Sequence, residues 1–206
     1  RIYDGVSTSE LDELTGEICT SMMTEHPDYG ILATRIIISN NHKNTPDKFS
    51  DAIELLYNNT DKSGNHNNLV SKELYDIVKE HHLMIDSEID NERDYLIDYF
   101  GFKTLLKGYL FKTSQRIVER PQYLFMRVSL GLHGQDLVNV FRSYHLLSQK
   151  YFTHATPTLF HSGTNHQQLL SCFLLGTEDS VDGIYKNISD CAKISKWAGG
   201  IGVHIN

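Results

Sequence analysis

Residues 153–205 contain THATPTLFHSGT, LLSCFLLGTEDSVDGIY and ISKWAGGIGVHI, and they set one thiol, Cys172, inside an apolar, strand-like run. A cysteine in such a run is either a small hydrophobe filling the core or a redox-active group. Ser171 precedes it, Phe173-Leu174-Leu175 follow, and Gly163, Gly199, Gly200 and Gly202 permit close backbone approach. Hydroxyls and glycines beside a thiol suit a polar substrate, so residue types alone leave packing and chemistry equally open at Cys172. Cys191, on the apolar stripe of a helix, and Cys19, beside Ile18, read as packing. In AGGIG the order is helix, glycines, strand. That is the reverse of a dinucleotide-binding fingerprint and argues against a Rossmann site.

Glu178-Asp179-Ser180 leads into a helix expected over 181–198. Ser180 suits an N-cap, and the acids suit the positive end of the helix. The same carboxylate, hydroxyl and amides also suit a ribose or a base. Lys196 is placed either to reach a phosphate or to sit solvated on an exposed helix face.

The elements that must position these groups change character along the chain. Ser7-Thr8-Ser9-Glu10 is a capping box, followed by Leu11, Leu14, Ile18 and Met22 at helical spacing. Pro27 starts a second helix carrying Ile31, Leu32 and Ile36. Thr45-Pro46 reads as the cap and first position of a third, with Phe49, Ile53 and Leu56 inward. Residues 58–68 are polar and aperiodic, the best linker in the chain. Residues 70–110 are expected to be helical, with Leu74, Ile77, Val78, Tyr95, Leu96, Tyr99 and Phe100 inward. Residues 110–119 read as a hairpin turning at Ser114-Gln115. Two helices follow at about 122–132 and 135–152, the second with Leu137, Phe141, Tyr144, Leu147 and Tyr151 on one face. Beyond His154, short apolar runs at 158–160, 169–175 and 201–205 alternate with the helix at 181–198, whose Ile184, Ile188, Cys191 and Ala198 share a side. Strand, helix, strand in so short a span is a βαβ unit and implies a parallel sheet. The fold class is therefore α/β with a mainly helical N-terminal part, and the sheet reads as the front of a larger α/β domain.

Composition narrows the function classes. A net charge of −7 argues against a nucleic-acid partner. No apolar run approaches the ~20 residues that span a bilayer, and residues 1–20 lack a secretory pattern, which favours the cytoplasm. Three cysteines without CxxC spacing fit a reducing compartment and argue against a disulfide framework or a cysteine zinc site. No metal ligands are assigned.

The blocks THATPTLFHSGT, QLLSCFLL, DSVDGIY and SKWAGGIGVHI, with HPDYGILATRIIISNNHK, YFGFKTL and ERPQYLFMRVSLGLHG upstream, resemble the large, catalytic subunit of class I ribonucleotide reductase, of the eukaryotic and large-DNA-virus type. The match runs nearly the whole chain and corresponds to the N-terminal quarter to third of the family protein. The resemblance implies the C-terminal part of an ATP-cone-like helical nucleotide-binding domain at 1–58 and the reductase's helical domain at 59–152. It also implies the start of a ten-stranded α/β barrel at 153–206. It makes Cys172 one of two redox thiols, acting at the substrate 2′ position as the hydroxyl leaves and then pairing with a cysteine far downstream. It places Thr156, Ser171 and Gly200 on a ribonucleoside diphosphate. Asp179, Ser180, Val181 and Lys196 fall at the deoxynucleotide specificity site near a dimer interface. Thr8, Asp12 and Lys43 fall at the ATP/dATP activity site, although Thr8 and Asp12 equally suit the first turn of a helix.

The implied partners are a metal-containing small subunit that supplies the radical, a thioredoxin- or glutaredoxin-type reductant, and a second copy of the full subunit. No cofactor is implied to bind this chain directly. Leu170 stands where a second serine is common, and His161-Ser162 where Asn-Ala is common. The thiyl-forming cysteine, the second redox cysteine and the radical-relay tyrosines are expected beyond Asn206, and the start of the cone before Arg1, so this chain alone is not expected to catalyse reduction. The alternative reading is a non-catalytic, regulatory nucleotide-binding module.

Overall fold

The computed structural model describes residues 3–113 and 116–205. Helix α1 (Thr8–Ser21) opens on the expected capping box: the Ser7 hydroxyl accepts the Glu10 N–H, and the Glu10 carboxylate accepts the Ser7 N–H at 2.9 Å. Helix α2 (Asp28–Asn44) packs along α1 and buries Ala33, Ile37 and Ile38, leaving Ile31 and Leu32 exposed. Gly16 of α1 is buried on that side, where an added Cβ would lie in ordinary contact with Tyr99 Cε2 at 3.5 Å and the Ala33 carbonyl at 3.7 Å.

Thr45-Pro46 does not open the third helix; α3 (Phe49–Tyr57) begins three residues later, behind Lys48. Partners far along the chain claim the earlier segment. The Thr45 hydroxyl donates to the Asn41 carbonyl and accepts from Arg120 Nε, both at 2.8 Å, while the Pro46 carbonyl accepts the Tyr123 hydroxyl. Phe49, Ile53 and Leu56 face inward as expected. The polar stretch 58–68 closes on itself through a Thr60–His66 bridge and an Asn59 Nδ2 bond to the Asn67 carbonyl. It joins α3 to α4 (Lys72–Glu88) within one core that holds Phe49, Leu56, Leu74, Ile77 and Val78.

A 3-10 helix (Asn91–Leu96) and α5 (Tyr99–Gly108) follow. Here the expected stripe fails in part: Leu96 and Phe100 are exposed and Phe102 is fully buried against Ile37 and Ile38. Asp98 caps a fresh helix through the Gly101 N–H at 2.7 Å, and the restart resets the phase of the apolar face. Among the described residues, the expected hairpin keeps a Lys112–Ile117 bridge, with the Thr113 N–H donating to the Arg116 carbonyl at 2.9 Å and the Val118 N–H to the Phe111 carbonyl at 3.0 Å; its turn, Ser114-Gln115, lies outside the described residues.

Helix α6 (Pro121–His133) is almost wholly buried, and α7 (Leu137–Ser148) packs on it, with Val140, Tyr144 and Leu147 inward. Helix α7 stops short of 152, with Lys150 in a left-handed conformation and Tyr151 exposed. Inside this core Arg127 pairs with Glu119, lies 3.8 Å over the Phe111 ring and donates to the Leu159 and Ser162 carbonyls.

The run at 158–160 is helical rather than strand-like: Pro157 lies in the first turn of α8 (Thr156–His161). The βαβ unit forms as expected, with β1 (Cys172–Thr177), α9 (Val181–Lys196) and β2 (Gly200–Ile205). The strands are parallel and in register from Cys172 opposite Gly200 to Thr177 opposite Ile205. Helix α9 ends two residues earlier than expected, and Ala198, at φ 62°, takes the left-handed position that usually falls to glycine. Its apolar face, Ile184 and Ile188 included, is exposed. No helix among the described residues is long and apolar enough to cross a membrane.

Candidate functional site

Cys172 opens β1 directly opposite Gly200, whose N–H donates to the Ser171 carbonyl at 2.7 Å. A Cβ on Gly200 would stand 3.1 Å from that carbonyl and 3.9 Å from Cys172 Sγ. The missing side chain therefore keeps the strand edge open beside the thiol. The Ser171 hydroxyl donates to Cys172 Sγ at 3.7 Å. Three of the four residues expected at the substrate, Ser171, Cys172 and Gly200, thus meet at one corner of the sheet.

Alternation decides which way the thiol points. Asn187 Nδ2 of α9 donates to the Thr177 hydroxyl, so Phe173, Leu175 and Thr177 share the face covered by α9. Cys172 and Leu174 lie on the other face, where Cys172 is exposed and Leu174 is 91 % exposed. A thiol that handles reactive intermediates works best in a dry enclosure, and the described residues do not make one here, because a two-stranded sheet with one helix covers only one face. Gly163, expected near the thiol, instead sits at φ 79° in the helical core, where a Cβ would meet Leu74 Cδ1 at 2.5 Å.

Thr156, the fourth expected residue, is the first residue of α8. Its hydroxyl lies 2.9 Å from the Tyr109 hydroxyl, and the Tyr109 ring leans on Phe160 at 4.8 Å. Helix α8 is tied to the approach to β1. The Thr158 hydroxyl donates to the Leu169 carbonyl at 3.0 Å, and His161 Nδ1 lies 3.3 Å from the Gln168 carbonyl. Thr156 is thereby held relative to Cys172 through α8. Sequence reading had no place for Tyr109, which lies far from Thr156 along the chain. Two residues before Thr156, burial and then the neighbouring His133 push the His154 imidazole below its ordinary pKa.

At the other end of β1, Ser180 caps α9 by accepting the Gly183 N–H at 3.0 Å, with Asp179 and Val181 exposed beside it. Lys196 lies in the last turn of α9, its ammonium 5.3 Å over the Trp197 ring. At ~1.5 Å rise per residue, the helix separates Val181 from Lys196 by roughly 22 Å, so one chain does not bring these residues together. Trp197 also stacks on His166 at 3.6 Å, fastening the end of α9 to the loop after α8.

Within the third expected group, Lys43 Nζ of α2 reaches Asp12 Oδ2 at 3.0 Å on an open surface, and Thr8 lies four residues before Asp12 on α1. Among the described residues, no group of three or more His, Cys, Asp or Glu could hold a metal ion.

A family model described as "Ribonucleotide reductase, all-alpha domain" matches residues 95–167, and one described as "Ribonucleotide reductase, barrel domain" matches residues 170–206. Their junction falls between α8 and β1, where the helical core gives way to the βαβ unit. The chain is 51% identical over 205 residues to the ribonucleoside-diphosphate reductase large subunit of Plasmodium falciparum (isolate Dd2), covering 99% of this chain and 25% of that protein. It is 50% identical over 207 residues to large chain 2 of the same reductase from Saccharomyces cerevisiae, covering 100% of this chain and 24% of that protein. Against the large subunit of Monkeypox virus it is also 50% identical over 207 residues, covering 100% of this chain and 27% of that protein. The chain spans about a quarter of the length of these curated relatives.

Proposed function

The chain belongs to the ribonucleotide reductase large-subunit family, and we propose that it forms the front part of the catalytic subunit of a ribonucleoside-diphosphate reductase. In chain order, segments 1–58, 59–152 and 153–206 are the end of a nucleotide-binding cone, the helical domain and the start of the barrel. Because α3 packs in the helical core, the first boundary is one of sequence rather than of packing.

Cys172 is one of two thiols that the reaction oxidises. Replacing the 2′-hydroxyl of a ribonucleoside diphosphate by hydrogen takes two electrons and releases water, and two thiols supply them by closing a disulfide. Thr156 and Ser171 hold the substrate by hydrogen bonds, and Gly200 leaves room for it. The radical comes from a metal-containing small subunit, and a thioredoxin- or glutaredoxin-type protein reopens the disulfide in the cytoplasm. The observation that carries this reading is the meeting of Ser171, Cys172 and Gly200 at one strand edge.

Asp179, Ser180 and Val181 take the base and ribose of a deoxynucleotide effector, and Lys196 takes its phosphates. With Lys196 at the far end of α9, the two halves of that site come from two copies of the subunit. The exposed apolar stripe of α9 supports such pairing. Thr8, Asp12 and Lys43 bind ATP or dATP, and the convergence of Asp12 and Lys43 supports this.

The test is Cys172→Ser in the intact subunit, assayed with its small subunit and protein reductant. Deoxynucleotide formation should fall to a trace under multiple turnover. Normal rates would rule out the redox role.

A further inference from the structure

We infer that Tyr109 is a positioning residue for substrate, acting through the hydroxyl of Thr156; this rests on the proposed role of Thr156. Tyr109 ends α5, where its N–H donates to the Leu105 carbonyl at 2.8 Å, and its half-buried ring leans on Phe160. Its hydroxyl lies 2.9 Å from Thr156 Oγ1. The backbone of α5 and the side of α8 together fix the position of that phenol.

Proton counting gives the contact a direction. A threonine hydroxyl has one proton and two lone pairs, and a phosphate oxygen of a bound diphosphate is an acceptor only. Thr156 must spend its proton on the phosphate, so in the complex the phenol donates into a Thr156 lone pair. The result is a chain from the Tyr109 O–H to the Thr156 O–H to the phosphate oxygen, in which the first bond polarises the second. Tyr109 turns a freely rotating hydroxyl into an aimed donor without touching substrate.

Removing only the phenol oxygen tests this, because Tyr109→Phe keeps the ring on Phe160. In the intact subunit with its small subunit, Tyr109→Phe should raise KM for the ribonucleoside diphosphate by roughly three- to tenfold, the equivalent of one hydrogen bond. kcat should stay within about twofold, since the bond serves ground state and transition state alike. The variant should unfold at the parent temperature, and in a Thr156→Val background it should add nothing further to KM. A raised KM that is additive with Thr156→Val would overturn the inference, as would an unchanged KM or a loss confined to kcat. If Thr156→Val itself leaves KM unchanged, the substrate role of Thr156 fails and the inference falls with it. If Thr156→Val raises KM while Tyr109→Phe is silent, the inference alone is overturned.

Discussion

Gly200 faces Cys172 across the parallel β1–β2 pair, and its absent side chain is what leaves the thiol an open flank. The first Cβ added there would press on the Ser171 carbonyl at 3.1 Å, and further carbons would crowd Sγ. Gly200→Val in the intact subunit should therefore cut deoxynucleotide formation by about tenfold or more, equivalent to ~1.4 kcal/mol or more of transition-state stabilisation. Steady-state assays beside a thermal melt check this, and full activity would show that the flank is not used.

Among the described residues, Arg127 and Glu119 make the most deeply buried ion pair, and neither side chain is more than 1% exposed. Arg127→Met leaves a buried carboxylate unpaired and frees the Leu159 and Ser162 carbonyls, so it should cost about 3–5 kcal/mol. The double change Glu119→Leu with Arg127→Met should recover part of that loss by removing the unpaired charge, although it also takes the acceptor of the Phe111 N–H, now 2.8 Å from Glu119 Oε2. Urea denaturation of the three variants against the parent would decide it; a double variant no more stable than Arg127→Met contradicts the account.

Asp94 is fully buried, with Oδ1 accepting from Gln122 Nε2 at 3.0 Å and Oδ2 lying 2.7 Å from His42 Nε2. Burial outweighs these partners and raises its carboxyl above the ordinary 3.8. The folded state then binds this proton more tightly than the unfolded state. Stability contributed by Asp94 falls as pH rises from about 3.8 through the folded value. Asp94→Asn should remove that slope, seen as a difference between the stability–pH curves of parent and variant. Parallel curves across that window would show that Asp94 carries no such linkage.

Val181, Ile184, Tyr185 and Ile188 form an exposed apolar stripe along α9, with Ile188 58% exposed. Ile188→Glu should weaken self-association of the intact subunit by tenfold or more, or about 1.4 kcal/mol or more, as a charge is forced into an apolar contact. Sedimentation across a concentration series measures this. An unchanged dimer would place the subunit contact elsewhere.

Much of the local structure was legible in residue order. The Ser7–Glu10 box, the inward Leu74, Ile77 and Val78, and the strand–helix–strand succession all depend on neighbours within a few turns. The failures share a cause. Thr45-Pro46 looked like a helix start until Arg120 and Tyr123 claimed its polar groups from far along the chain. Phe100 looked inward until the Asp98 cap reset the register. The run at 158–160 was too short for its spacing to separate strand from helix.

By itself the sequence determined most of the N-terminal helices, the βαβ unit and the blocks that mark Cys172, because capping, periodicity and motif spacing act over a few residues. Only the tertiary structure decided that Gly200 stands against Cys172, that Tyr109 meets Thr156, and that Asp12 meets Lys43. Those relationships join residues tens of positions apart. They are set by strand register and by how the helices pack on one another, which no local stretch encodes.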